Sequence, residues 1–308
     1  MVLPVGVALP NYGPLAGAEA LSRLARHAEA LGFDSLWVAD HLVMPCDATS
    51  RYPFDRRAEP TPARLDGLVD FYEPLVTLAY VAGITRRIRL GVSVYVMPYR
   101  NPVVTAKLVA TLDALSGGRV IFGAGVGWLR EEFLALGADP GRRGRVTDEY
   151  LEVCRRLWRD DVASFDGAHY HLPPVRTGPK PAQRPWPPIW IGGNSEAALT
   201  RAVGLGDGLH LIDLSPAEAA PIGAALAGRL HDAGRPRASF TLSLRVSVAA
   251  NADARAQSAA SPTAEALRRD REVCARAGVD YLVVGPRQAT SIEQLEATFT
   301  DVAAVLIG

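Results

Sequence analysis

Short apolar runs alternate along this chain with longer stretches in which apolar residues recur at helical spacing. The runs are VGVAL (5–9), SLWVA (35–39), IRLGVSVYV (88–96), VIFGAG (120–125), PIWIG (188–192), GLHLI (208–212), TLSLRVSV (241–248) and YLVVG (281–285). Most are almost continuously apolar, as strands are when a parallel sheet is covered by helices. Between the first two runs, Ala18, Leu21, Leu24, Ala25, Ala28 and Leu31 share one face of a helix. Gly32 follows where a cap glycine belongs. Similar spacing predicts helices over 73–84, 102–116, 146–159, 195–204, 216–233, 263–277 and 291–306.

Eight strand–helix units in order predict an α/β fold, a TIM (β/α)8 barrel forming a single domain over 1–308. A doubly wound open sheet is the competing architecture, and the strand count favours the barrel. In a barrel, function gathers at the C-terminal ends of the strands. Two connections are too long for simple loops: 42–72 after strand 2, and the proline-rich 160–187 between strands 4 and 5. The second contains a hairpin pattern around SFDGAHYHL. Both are expected to cover the active site.

Composition narrows the picture. Apolar residues make up 48% of the 308, enough for a substantial core. Lys plus Arg equals Asp plus Glu, 33 each, so there is no overall charge to attract nucleic acid or an anionic membrane. Cys46, Cys154 and Cys274 are scattered, with no CxxC pair, which fits a reducing cytoplasm. The start MVLPVGVALP makes a poor signal peptide, and no apolar run approaches the ~20 residues of a membrane span. A cytoplasmic protein acting on a small molecule is the expectation.

Candidate chemistry lies at the strand ends. The second strand stops on Asp40-His41, an acid able to bind a donor and an imidazole able to shuttle a proton. A polar strand end that merely caps a loop is the plainer alternative. Gly91 and Ser93 interrupt the third strand, as at a bulge or a close backbone approach. GAGVGW (123–128) has Trp128 where a dinucleotide fingerprint needs a third glycine. WIGGNSEAALTRA (190–202) runs from a strand through Gly192-Gly193 to Asn194-Ser195 and a helix. Free amides and a positive helix end there suit a phosphate, and an ordinary N-cap is the competing reading. His169 and His171 form an HxH pair outside the strand ends, His27 and His231 fall on helices, and His210 is inside a strand, so no metal site is expected.

Four segments together carry a family resemblance: LGFDSLWVADH (31–41), the stretch 88–133 that includes IRLGVSVYVMPYRNP and VIFGAGVGWLREEF, GRVTDEYLEVCRRLW (144–158), and PPIWIGGNSEAALTRAVGLGDG (187–208). They resemble the luciferase-like monooxygenase superfamily, and within it the coenzyme F420-dependent oxidoreductases. The last hundred residues match only in general architecture. The resemblance implies a barrel holding a flavin or deazaflavin at its C-terminal rim. It implies that Asp40 helps bind the ring system and that His41 handles a proton at the redox edge. It also implies a cis peptide at Ser93–Val94, with Val94 pressing on the ring. Gly125, Val126 and Gly127 would run along the cofactor's side chain, and Gly192, Gly193, Asn194 and Ser195 would form its phosphate turn. Apart from the resemblance, Asn11 at the end of strand 1 and Trp128 after strand 4 are expected to line the substrate side.

The chain departs from the glucose-6-phosphate-oxidising members of that branch. They carry a Glu where Trp128 stands, and a Trp near Met44-Pro45. An indole is a poor proton acceptor and a good apolar wall, which argues against a sugar phosphate. The leading expectation is F420-dependent hydride transfer between the deazaflavin C5 and an alkene, imine, carbonyl or alcohol. The alternatives are a monooxygenase using reduced FMN and oxygen, and a non-catalytic flavin-binding barrel. Arg51, Arg56, Arg57 and Arg64 either meet the polyglutamate tail of F420 or keep a long loop soluble. Arg142, Arg143 and Arg145 carry the same ambiguity. Homodimers are common in the resembling family, and nothing in this sequence establishes one.

Overall fold

The computed structural model describes residues 3–54, 69–250 and 271–308. Its centre is a closed barrel of eight parallel strands: β1 (Val5–Ala8), β2 (Ser35–Val38), β3 (Arg89–Val92), β5 (Val120–Gly125), β8 (Ile189–Gly192), β9 (Gly208–Ile212), β10 (Thr241–Ala249) and β11 (Tyr281–Arg287). The pairing of β3 with β5 closes the ring. The expected TIM barrel is therefore present, and the open sheet is excluded. The third strand is interrupted, as Ser93 and the implied cis peptide predict. It breaks at a cis peptide between Ser93 and Val94 and resumes as β4 (Tyr95–Val96) beside β5.

Helices α1 (Ala18–Ala30), α2 (Pro74–Ile84), α3 (Pro102–Ser116), α5 (Arg143–Arg159), α6 (Glu196–Leu205), α7 (Pro216–Asp232) and α8 (Ile292–Leu306) follow the predicted order. A short helix, α4 (Arg130–Ala135), was not expected. The predicted 263–277 helix falls mostly outside the described residues, and the chain is helical over 271–276. Several helix starts follow from local chemistry. Asn101 caps α3 through the amides of Val103 and Val104, with Pro102 in the first turn. Glu73 caps α2 through the Val76 amide, ahead of Pro74.

Strand alternation divides the core in two. Outward residues such as Val7, Leu36, Leu90, Phe122, Leu211 and Val284 are buried against the helices. Each such burial is worth roughly 1.5–3 kcal/mol. Inward residues Trp37, Ile121, Trp190, Tyr281 and Val283 fill the barrel. Trp37 occupies space that only glycine leaves: a Cβ at Gly91 would lie 2.5 Å from its ring. The second long connection contains the expected hairpin, β6 (Ala163–Asp166) with β7 (His171–Val175). In the first, Phe71 pairs with Tyr12 and their rings stack at 4.8 Å, which returns the insertion to the barrel mouth.

Candidate active site at the barrel rim

The turn after β2 is fixed from three directions. Asn11, fully buried, donates through Nδ2 to the carbonyls of Ala39 (2.9 Å) and Tyr72 (3.0 Å) and accepts from the Ala39 amide at 2.9 Å. Its amide is thus committed to backbone. Asp40 is also buried. It accepts the Val96 amide at 2.8 Å and both terminal nitrogens of Arg100 at 2.8 Å. Arg100 continues to Glu73 at 3.1 Å and lies over the Tyr95 ring. Burial opposes the arginine's charge, but Asp40 outweighs it and raises the guanidinium above its ordinary range.

His41 turns the other way. Its Nδ1 is 2.6 Å from Oε2 of Glu132, a carboxylate with no solvent exposure. Glu132 also accepts the amides of Leu42 (2.7 Å) and Val43 (3.3 Å) and the hydroxyl of Tyr99 (2.9 Å). Burial works to raise the Glu132 carboxyl, yet His41 and the other donors together hold it below the usual carboxylate range. Its neighbour Glu131 accepts the amides of Thr49 and Ser50 and the Thr49 hydroxyl. Against some burial, those bonds lower Glu131 to about 2. The two acids of α4 therefore pin the start of the first insertion.

Sequence reasoning passed over Glu132, although a signal was there. Leu129, Glu132, Phe133 and Leu136 share one helical face, and an acid on an apolar face must find buried donors. The His41 Nε2 has no hydrogen-bond partner among the described residues. Its ring meets Phe71 at 5.2 Å and Trp128 at 6.0 Å, both edge-on. Trp128 in turn meets Tyr52 of the insertion at 5.2 Å. The predicted apolar wall thus stands beside the predicted imidazole.

Val94 forms a floor. A Cβ at Gly125 would lie 2.3 Å from Val94 Cγ2, and one at Gly192 would lie 2.5 Å from Cγ1. These glycines are explained by the chain's own side chain, held between β5 and β8. Ser93 Oγ is 2.8 Å from His210 Nε2, and His210 Nδ1 is 2.9 Å from Ser243 Oγ. His210 stacks on Trp37 at 5.1 Å. Burial first, then the charge of Arg245, pushes His210 down to about 3, so it is a neutral core residue. Val126 and Gly127 continue half-buried from β5.

After β8, the Gly193 amide donates to the His210 carbonyl at 3.1 Å. Asn194 fastens the end of β9 through the Ile212 amide (2.9 Å) and carbonyl (2.8 Å). Ser195 caps α6 through the Ala198 amide. The amides of Ser195, Glu196 and Ala197 have no partner among the described residues. The turn is therefore an ordinary N-cap that also leaves an open, positive helix end.

A family model described as luciferase-like monooxygenase matches residues 2–300. The chain belongs to that family. An uncharacterised protein of Mycobacterium tuberculosis is 37% identical over 168 residues, 54% of this chain and 58% of that protein. The matched part thus spans little more than half of that relative. Two solved structures share the fold over nearly their whole length. The monooxygenase RslO1 from Streptomyces bottropensis has a TM-score of 0.80 at 20% identity, covering 99% of each chain. An F420-dependent secondary alcohol dehydrogenase in complex with an F420-acetone adduct has a TM-score of 0.78 at 17% identity, covering 100% of this chain and 99% of the other.

The remaining candidates of this luciferase-like chain lie apart from the rim dyad. His171 meets Asp166 in the exposed hairpin, and His27 bonds to α8. No group of three metal-type ligands occurs among the described residues. Arg142 pairs with Asp139, and Arg143 donates to the Pro140 carbonyl. Arg51 is exposed, while Arg56, Arg57 and Arg64 lie outside the described residues. No helix among the described residues is long and apolar enough to cross a membrane.

Proposed function

We propose that this chain is an F420-dependent oxidoreductase that moves a hydride between the deazaflavin C5 and a small organic substrate, an alkene, imine, carbonyl or alcohol. The observation that carries the reading is His41: one ring nitrogen fixed by a buried carboxylate, the other without a hydrogen-bond partner among the described residues. That is the arrangement of a general acid–base with its orienting partner. Every hydride taken from an alcohol, or given to a carbonyl, is accompanied by a proton that must go somewhere.

The residues fit the group. Ser195, Glu196 and Ala197 would offer amides to its phosphate, Val94 would support the ring, and Val126 and Gly127 would flank its side chain. Bound there, the deazaflavin supplies or accepts the hydride. The protein's part is the rest. Glu132 holds the imidazole by Nδ1 and leaves Nε2 to take or give the substrate proton. Asp40, through Arg100 and Val96, fixes the backbone from which His41 projects. Trp128, Phe71 and Tyr12 keep an apolar substrate against the ring and exclude water.

The test has two steps. Titration with F420 and, separately, with FMN, followed by fluorescence, should show tight binding of F420. His41→Ala should then lower kcat by roughly 10²–10⁴-fold with little change in cofactor affinity. An unchanged kcat would overturn the assignment. The second reading is a monooxygenase using reduced FMN and oxygen. The open α6 terminus suits either phosphate and so accommodates this reading too, and tight binding of FMN alone would select it.

A further inference from the structure

Arg245 is the cation the proposed mechanism leaves unused. It stands on the inward side of β10, between Ser243 and Ser247. Ser243 below bonds His210, and Ser247 above donates to Asp213 at 2.8 Å. Asp213 also takes Arg287 at 2.6 Å, so this neighbouring arginine is paired. The Arg245 guanidinium has no hydrogen bond and no ion pair with any described residue. It lies over Gly285, where a Cβ would come 3.1 Å from its Nη2. The missing side chain leaves the guanidinium its place in the barrel mouth. Its charge is felt by His210 and by the phenol of Tyr52, which the insertion brings over the rim.

A half-buried guanidinium with five donors and no acceptor is an unfinished site. Its planar fork matches a carboxylate. Arg245 is on β10 and His41 follows β2, with β11 and β1 between them in the ring. The aromatic wall of Tyr12, Phe71, Trp128 and Tyr52 belongs to the same mouth. The phosphate turn and the Val94 floor lie elsewhere, on β8, β5 and the end of β3. We propose that Arg245 binds the carboxylate of a substrate whose body is apolar and of aromatic size. The assignment rests on reading the rim as a redox site, and it adds the substrate class.

Benzoate and its neutral counterpart benzamide test the proposal without turnover. Binding is followed by tryptophan fluorescence, with and without cofactor. The wild-type protein should prefer benzoate by about tenfold or more, the scale of a charge-assisted fork. Arg245→Gln should abolish that preference, Arg245→Lys should keep part of it, and both should bind F420 or FMN within threefold of wild type. Equal binding of benzoate and benzamide by the wild type overturns the proposal, as does a preference that survives in R245Q. A tenfold loss of cofactor affinity in R245Q also overturns it, because the anion would then be the cofactor's own. The benzoate comparison on cofactor-free protein separates this failure from failure of the redox reading, which the cofactor titration decides.

Discussion

Asp40 and Arg100 meet through two parallel hydrogen bonds of 2.8 Å, both side chains almost sealed from solvent. The strand that ends on Asp40-His41 therefore delivers two groups to different tasks. The acid locks the turn to the break in the third strand, and the imidazole faces the rim. Asp40→Asn should leave Arg100 buried with Glu73 as its one ion-pair partner among the described residues and destabilise the protein by about 3–5 kcal/mol. Urea denaturation measures this. A loss under about 1 kcal/mol would mean that the pair behaves like a surface ion pair.

Glu132→Gln separates position from charge. The amide keeps the size of the side chain but not the negative charge beside His41. Turnover should fall by about tenfold or more, since an oriented proton-transfer group contributes roughly 10²–10⁴-fold. Cofactor affinity should stay within threefold. If turnover stays at the wild-type value, Glu132 serves only to hold the Leu42 and Val43 amides.

The barrel and the Asp-His strand end were legible because both are local. Short apolar strand runs, period-3.6 helices and the residues between them can be read within a few positions of each other. The partners were not. Arg100 reaches Asp40 across 60 residues and Glu132 reaches His41 across 91. Nothing in MPYRNP or WLREEF announces that a folded barrel brings them to one rim. The interruption of the third strand was legible at Ser93, which breaks the apolar run, and the cis peptide at Ser93–Val94 was implied by the family resemblance. Gly125 and Gly192 were expected along the cofactor's side chain and in its phosphate turn, and no local pattern signalled that both also make room for Val94.

His210 gives a pH dependence whose sign is fixed. Its folded pKa, about 3, lies below the ordinary histidine value of 6.5. Between these limits the unfolded chain binds a proton that the folded barrel refuses. Stability is therefore complete above pH 6.5 and falls by up to about 1.4 kcal/mol per pH unit as the solution is acidified toward 3. His210→Gln should flatten that part of the curve. Denaturation midpoints between pH 7 and pH 5, on an order-of-magnitude scale of 1–2 kcal/mol, provide the check. Parallel curves for the two proteins would show that other groups cause the loss.

The Val94 floor can be tested by filling one side of its seat. Gly192→Ala places a methyl 2.5 Å from Val94 Cγ1, so the valine must move or the strands must part. Overpacking of this kind costs about 1–3 kcal/mol. Because Val94 is the proposed support for the ring, cofactor affinity should weaken as well. Val94→Ala combined with Gly192→Ala removes both crowding γ-carbons and should restore most of the stability. It should not restore affinity, since the surface that supported the ring has gone. A Gly192→Ala protein with wild-type stability and affinity would mean that Val94 is free to yield, and the floor would have to be sought elsewhere on the rim.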